Sequence, residues 1–543
     1  MRVRFLFILI VSVVAVGNVY SQQKTATPDT VIKSNTIEII QSYKPEVKQA
    51  PKPEFSPSLP PTDTARPVYN YEVPQQTLYY TYNSIPLRPL ALGKDSALIP
   101  FANYVKLGAG NLSTIYLDAG IGSLHGKDYT TAIHLHHISQ TGDVKFQQSS
   151  LSGLEAEGTL HRNGNIWHAF ADGERNQYGY YGYDHNYTEN SDSLKQTFLS
   201  LKGGVDMQNE NYGFKNLNYH PSVFASLYSD KFSAEETTFG INAPVSYDVD
   251  TSLQLNAGIN GTFTQLNANS ASKGNNIVQL VAGAVFHNSA FIGHAYIDPT
   301  LGEGSNFYVL PDLAAGYKSP KGLFTAMAGW QSLLHQNTYE QLSALNPYMV
   351  NAYDIHQTKT DEVYADIESN LGKHITLSGR LSWWQYGNLP LFLNNIGDQR
   401  QFYIVYDDKL NATSFRIAAR YQVANTFAVG INGTFYSYYN GTQRRPWEEP
   451  TAKLKGDLLF RPLSALTITA YLTYLDGMYA LNTNNQDIKL SGYFDIGGNI
   501  EYNIIPRLSV FLQVTNLLNN RNQRWFGYDA YGTNVYGGIR LKF

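Results

Sequence analysis

The stretch that decides the fold is residues 415–435, which read FRIAARYQVANTFAVGINGTF. Apolar and polar side chains alternate along it: Phe415 and Ile417 share one face, and Arg416 and Arg420 share the other. A period of two residues is typical of a β-strand with one apolar face and one wet face. The interruption in the middle is a short turn, so the stretch predicts two adjacent antiparallel strands.

The same alternation recurs from residue 101 to residue 543, for example along 466–474 and 494–502. A soluble β-sandwich would show the same period, but three features favour a membrane barrel. The alternating runs are longer than the five or six residues usual in soluble sheets, their apolar rows begin or end in aromatic residues, and their polar rows carry charges such as Asp495 and Glu501. A sandwich core would not bury those charges, whereas a water-filled lumen accepts them. We therefore predict an all-β fold, a closed antiparallel transmembrane β-barrel of about 22 strands.

Connections between the predicted strands alternate between short and long. Short turns lie near residues 248–250, 370–373 and 423–425. Outer-membrane barrels have short periplasmic turns and longer outside loops. The longer polar connections, which we place outside, are 172–192, 334–358, 388–400, 440–449, 478–486 and 516–532.

Composition agrees with this class and excludes others. Aromatic residues make up 13% of the chain and charged residues 15%, against about a quarter charged in soluble domains. The absence of cysteine excludes disulfides and thiolate-ligated metals. A net charge of −4 without a long basic run argues against nucleic acid as a partner.

The N-terminus resembles an export signal. Arg2 and Arg4 precede an apolar stretch at 5–16, with small residues near position 21. This layout predicts a cleaved signal peptide at residues 1–21 and a mature protein in the outer membrane. An uncleaved membrane anchor is the alternative, although the apolar stretch is short for a membrane span.

Residues 22–100 form a proline-rich extension, because 12 of the 23 prolines lie at or before Pro100. Proline donates no backbone hydrogen bond and favours extended polyproline II structure. We predict an extended arm rather than a globular domain, with 22–60 mobile and 78–100 ordered inside or beneath the barrel. The arm is either a spacer or a segment that binds a partner. The barrel then occupies residues 101–543.

The C-terminal region resembles the TonB-dependent receptors. Residues 506–519, PRLSVFLQVTNLLN, look like the segment before the last hairpin in that family, and the loop at 524–528, RWFGY, is also similar. The final strand, 535–543, ends in phenylalanine with apolar residues at alternate positions, like the terminal strand that the outer-membrane assembly machinery recognises. The residues that would carry this assembly signal are Val535, Ile539, Leu541 and Phe543.

The resemblance implies a barrel of about 22 strands, but the chain departs from the family before residue 101. Members carry a plug domain there, whereas the proline content of 22–100 argues against a globular plug. The family also carries a short β-prone box near the mature N-terminus that contacts a periplasmic energy-transducing protein. The stretch that is similar in type, and that is otherwise a spacer or a partner-binding strand, is Thr36, Ile37, Glu38, Ile39 and Ile40.

No catalytic constellation is recognisable, so we predict neither an enzyme nor a cofactor or metal site. His134 and His136 share one strand face, and alternate histidines can hold a metal, but we interpret them as lumen residues. Arg444, Arg445 and Trp447, followed by Glu448 and Glu449, form a charged loop that either contacts a ligand or is a solvated loop tip.

Two functions remain open. One is receptor-like solute uptake across the outer membrane. The other is a non-enzymatic barrel subunit of an outer-membrane complex, which docks its partners through the N-terminal arm. Both imply contact with membrane lipid and with the assembly machinery, and fold alone does not choose between them.

Overall fold

The computed structural model describes residues 103–122, 124–185, 190–210, 216–352, 354–397 and 399–543. The N-terminal arm and the box at 36–40 lie outside these residues. Strands dominate the described chain, with one short helix, α1 (Tyr339–Leu345), and one 3-10 turn (Glu303–Ser305). In chain order the strands are β1 (Tyr104–Gly110), β2 (Ile115–Ile121), β3 (Tyr129–Thr141), β4 (Gln148–Arg162), β5 (Asn165–Gly179), β6 (Lys195–Asn209), β7 (Leu217–Tyr219), β8 (Ser222–Asp230), β9 (Glu235–Asp248), β10 (Leu253–Ala268), β11 (Ala271–His287), β12 (Phe291–Leu301), β13 (Phe307–Lys318), β14 (Phe324–His335), β15 (Thr358–Leu371), β16 (Ile375–Gly387), β17 (Leu389–Asn394), β18 (Phe402–Asp407), β19 (Leu410–Val423), β20 (Phe427–Tyr439), β21 (Ala452–Leu463), β22 (Leu466–Asp476), β23 (Tyr479–Leu481), β24 (Asp487–Lys489), β25 (Tyr493–Ile505), β26 (Leu508–Thr515) and β27 (Asn534–Lys542).

Twenty-three of these strands form one antiparallel sheet. β7 and β8 both pair with β9 and are separated only by His220 and Pro221, since proline cannot donate to the ladder. They act as one interrupted strand, so the wall has 23 − 1 = 22 strands. The predicted strand number is confirmed.

The sheet closes between its first and last strands. β1 pairs with β27 from Tyr104 opposite Lys542 to Gly110 opposite Tyr536. This seam is tight, because a Cβ atom at Gly538 would lie 1.8 Å from the carbonyl oxygen of Leu107. The predicted closed antiparallel barrel is therefore confirmed, and closure removes the unpaired strand edges that a membrane would not tolerate.

The wall is apolar outside and polar inside, as the alternation predicts. Phe415 on β19 is 48% exposed on the outer face, while Arg420 points inward and lies 3.6 Å from Asp457 of β21. On the last strand, Val535, Ile539 and Leu541 are likewise exposed apolar residues. An outward apolar surface on a closed barrel is the arrangement that lipid stabilises.

The two ends of the barrel differ. At one end the strands are joined by tight turns, such as Asn163 and Gly164, whose φ values of 54° and 73° suit a two-residue hairpin. At the other end lie the long connections, which contain α1 and the hairpins β17–β18 and β23–β24. Among the described residues, no helix is long and apolar enough to cross a membrane.

Candidate functional site: a capped polar lumen

The long connections pack together into one structure, here called the loop cap: residues 180–194, 336–357, 388–409, 440–451, 477–492 and 516–533, as far as they are described. Three tyrosines show where it lies. The ring centroid of Tyr528 is 3.5 Å from that of Tyr348 and 4.9 Å from that of Tyr181. The loops of Tyr181, Tyr348 and Tyr528 follow the 5th, 13th and 21st wall strands. Around the closed ring of 22 strands, neighbouring loops are therefore eight, eight and six strands apart. Side chains from three well-separated sectors of the rim can meet only across the mouth, so the loop cap spans the long-loop end of the barrel.

An aromatic core holds the loop cap together. Trp525 packs edge-on against Phe392 and Phe402, with ring centroids 5.3 Å and 5.6 Å apart, and all three side chains are buried. The β17–β18 hairpin, which supplies both phenylalanines, is joined to β23 by two buried hydrogen bonds between Asn394 and the backbone of Leu481, 2.8 Å and 2.9 Å long. This core is built mostly from loop residues, and side chains at the ends of wall strands, such as Phe198 of β6 and Tyr228 of β8, pack against them.

The charged loop at 444–449 belongs to this core, and its interpretation as a solvated tip is wrong for two residues. Trp447 and Glu448 are buried. Arg444 and Arg445 stay half exposed and both pair with Asp487, at 2.6 Å and 2.9 Å. The arginines therefore form the surface of the loop, and Trp447 packs with Leu391 and Leu481 beneath it.

Glu448 is a fully buried carboxyl group in the loop cap. Its Oε1 accepts a hydrogen bond from the backbone of Phe526 at 3.3 Å, whereas Oε2 has no hydrogen-bond partner among the described residues. Arg524 donates to the backbone carbonyl of Glu448, at 2.9 Å, rather than to its carboxylate. Burial consequently raises the pKa of Glu448 to about 8, and burial also lowers the pKa of Arg524.

Helix α1 reaches from the loop cap onto the inner wall. Thr338 caps its N-terminus, and the carboxylate of Glu236 on β9 accepts hydrogen bonds from the backbone N–H groups of Tyr339 and Glu340 at 2.7 Å and 3.1 Å. A carboxylate at this end satisfies donors that the helix cannot satisfy itself. Glu340 in turn accepts from Ser200 of β6 at 2.8 Å, so the helix is anchored to the lumen wall.

Below α1 the wall carries polar side chains on consecutive strands. Register aligns His134 of β3 with Glu155 of β4, Glu155 with Asp172 of β5, and Asp172 with Lys202 of β6. A cavity of about 200 Å³ under α1 is lined by Asp172, Glu174, Asn176, Ser200 and Glu340, among others. The lumen beneath the loop cap is therefore polar and rich in carboxylates.

Two of these carboxylates lie where the sequence predicts a loop. β5 continues to Gly179, so Asp172 and Glu174 are lumen-facing strand residues and the predicted 172–192 connection begins at 180. The outward residues of this part of β5, Gly173, Arg175 and Gln177, are not apolar. The alternation of apolar and polar residues therefore ends before β5 does. Beyond that point, hydrogen bonds to β6 continue the strand as far as Gly179.

The predicted histidines occupy the expected faces. His134 and His136 point into the lumen and Leu135 is exposed outside. His161 is hydrogen-bonded to Glu210 at the short-turn rim, at 2.8 Å, and His168 is hydrogen-bonded to Asp206, also at 2.8 Å. Glu155, which lies beside His134 and His136, could not be assigned to them from the sequence because the register between β3 and β4 was unknown.

Comparisons with known proteins identify the fold. No protein family model and no curated protein matches the sequence. Among solved structures, the FrpB iron transporter from Neisseria meningitidis is 11% identical, with a TM-score of 0.63 over 82% of this chain and 81% of that one. The siderophore receptor PirA from Acinetobacter baumannii is 9% identical, with a TM-score of 0.62 over 81% and 80%. The ferric enterobactin receptor PfeA from Pseudomonas aeruginosa is 11% identical, with a TM-score of 0.60 over 81% and 80%. The chain thus has the same barrel fold as these three proteins.

Proposed function

We propose that this protein is an outer-membrane barrel that takes up a solute from the long-loop side, with the loop cap as its entrance gate. The observation that carries the proposal is the meeting of Tyr181, Tyr348 and Tyr528 across the mouth of a wide barrel with a polar interior. A wall of this size encloses a space that side chains of the strands alone do not fill. A cover over a polar space admits solute selectively when it opens.

The architecture shared with an iron transporter, a siderophore receptor and a ferric enterobactin receptor supports uptake. Within this proposal, residues 1–21 direct export, residues 22–100 form the periplasmic or lumenal arm, and residues 36–40 contact a periplasmic energy-transducing protein. The chemistry required is binding and release rather than bond making, so the protein is not an enzyme.

A second function is favoured by the core of the loop cap. Trp525, Phe392 and Phe402 are buried as in a stable domain, and exposing aromatic side chains of this size costs several kcal/mol. A barrel that stays closed would suit a subunit of an outer-membrane complex, which presents the loop cap outside and the arm to periplasmic partners.

Solute entry into liposomes separates these functions. The full protein and a Tyr348→Ala/Tyr528→Ala variant would be reconstituted, each with and without residues 22–100, and the entry of small sugars would be measured by swelling. For uptake through a gate, we expect the tyrosine variant without the arm to be permeable and the full protein to be much less so. A variant whose loop cap is opened, as shown by protease sensitivity, yet whose liposomes remain impermeable without the arm would contradict uptake.

A purification in mild detergent complements this measurement. Stoichiometric partners that remain bound through solubilisation would favour the complex subunit. An isolated barrel that conducts would favour uptake. Limited proteolysis of the same preparation tests the arm, for which we expect rapid cleavage before residue 61 and protection after residue 78.

A further inference from the structure

A cluster of nitrogen and oxygen ligands projects from β2, β3 and β4 into the lumen. His134 Nδ1 lies 3.7 Å from Glu155 Oε2, and His136 Nδ1 lies 3.9 Å from Glu155 Oε1. One donor atom from each of these three side chains lies within 4.8 Å of the others. On the far side of His134, its Nε2 is 3.1 Å from Asp118 Oδ2. These four residues are called the histidine–carboxylate cluster.

Strand geometry explains how the cluster forms. The two-residue period places His134 and His136 on one face of β3, and register sets Glu155 directly opposite His134. Opposite His136 stands Gly153, where a Cβ atom would lie 2.3 Å from Cε1 of the imidazole. The absence of a side chain at Gly153 leaves the space in which the His136 ring can lie beside Glu155.

The spacing of the donor atoms suits a bound metal ion. Ligands of tetrahedral zinc lie about 2.0–2.1 Å from the ion, and therefore about 3.4 Å from one another. The two nitrogen–oxygen distances, 3.7 Å and 3.9 Å, approach that value more closely than they approach a direct hydrogen bond. The two distances end on different oxygens of Glu155, and one donor atom from each side chain lies within 4.8 Å of the others. Rotation of the side chains about their own bonds is therefore needed to bring three atoms into ligand geometry. Asp118, bonded to the opposite nitrogen of His134, has the place of the outer carboxylate that orients a metal-bound histidine.

We propose that the histidine–carboxylate cluster is a binding site for a divalent transition-metal ion, with His134, His136 and Glu155 as ligands and Asp118 as a positioning residue. Two imidazoles and one carboxylate match zinc, and three protein ligands leave a position open to water or to a passing solute. The neighbouring Asp172 and Glu174 add negative charge that attracts cations to this wall. The site exists independently of whether the barrel conducts a solute, so binding alone can test it.

The experiment uses the full-length protein in detergent, without a histidine tag, after chelator treatment and desalting. Zinc affinity and stoichiometry would be measured by competition with a chromophoric chelator, and Co²⁺ would report ligand geometry by its visible absorption. The variants are His136→Gln, Glu155→Gln and Asp118→Asn. His294→Gln is the matched control, because His294 is also a lumen histidine paired to a carboxylate, 3.0 Å from Asp312, but belongs to no such cluster among the described residues.

We expect one zinc ion per chain, an intense tetrahedral Co²⁺ spectrum, and a loss of affinity of more than tenfold in His136→Gln and Glu155→Gln. Asp118→Asn should lose about tenfold, as outer carboxylates commonly do, and His294→Gln should bind like the unchanged protein. Circular dichroism would confirm that each variant keeps its strand content. Affinity unchanged in both ligand variants, or lost equally in the control, would overturn the proposal and leave the cluster as an ion-pair network.

Discussion

Leu381 on β16 is 55% exposed, whereas Leu391, in the hairpin that follows the same strand, is 0% exposed. The first belongs to the outer face of the barrel wall and the second to the core of the loop cap. Apolar side chains in the wall point away from the protein toward lipid, and those in the loop cap point toward one another. Two kinds of hydrophobic stabilisation therefore operate in one chain, and substitutions should affect them differently.

The largest effect is expected where the wall meets lipid. Replacing Ile539 and Leu541 by Asp places carboxylates on the outer face of β27, where burial in hydrocarbon is costly. Deleting Phe543 removes the residue that directly follows this strand. In each case we expect loss of insertion, measured as the amount of folded barrel in outer-membrane fractions.

The matched control is Lys542→Asp, which puts the same carboxylate on the neighbouring, inward-facing position of β27. Near-normal membrane levels are expected for it. Normal levels of the Ile539→Asp/Leu541→Asp protein would show that this strand neither faces lipid nor carries an assembly signal.

The next effect concerns the core of the loop cap. Trp525→Ala empties the space between Phe392 and Phe402, and truncations of buried Trp or Phe typically cost 3–5 kcal/mol. We expect faster hydrogen exchange in residues 388–409 and 516–533, with little change along β19 and β20. The control is Trp330→Ala, a change at an outward wall position, which should leave hydrogen exchange in the loop cap unaltered. If residues 388–409 and 516–533 exchanged equally fast in both variants, the loops would not share one core.

Glu448 gives the loop cap a pH dependence of its own. Its pKa of about 8 in the folded loop cap exceeds the ordinary value of 4.5, so the folded loop cap holds a proton that an opened loop releases between these values. The free energy of opening therefore falls as pH rises through that window, by at most about 1.4 kcal/mol per pH unit for one group. Protease sensitivity of residues 440–451 should rise from pH 5 to pH 8, and Glu448→Gln should flatten the profile. An identical profile in both proteins would assign the pH dependence to other groups.

The wall could be predicted from the sequence and the loop cap could not, for a physical reason. Alternation such as Phe415, Arg416 and Ile417 follows directly from the geometry of one strand, so it is readable from neighbouring residues. The contact of Tyr348 with Tyr528 joins residues far apart in the chain, and no periodic pattern in the sequence predicts it. A local signal was nevertheless present in the hairpin: the apolar runs at 389–394 and 402–407 are denser than a solvated loop requires. The histidine–carboxylate cluster is an intermediate case. The sequence predicts which face of its strand each residue occupies, but not the register between β3 and β4.

The smallest effect is expected at the surface of the loop cap. There a single loop, residues 440–451, allows an exposed charged residue to be compared with a buried apolar one. Arg445 is half exposed, pairs with Asp487 at 2.9 Å, and lies 4.6 Å from the ring centroid of Tyr479. An exposed ion pair of this kind contributes between zero and about 1 kcal/mol, and salt screens it. Arg445→Gln should therefore change the exchange of residues 477–492 only slightly, and less still at high ionic strength. Trp447→Ala, two positions along, removes a buried side chain and should accelerate exchange in the same residues many-fold at any salt concentration. Comparable effects of the two substitutions would mean that charge pairing, rather than the apolar core, holds this loop in the loop cap.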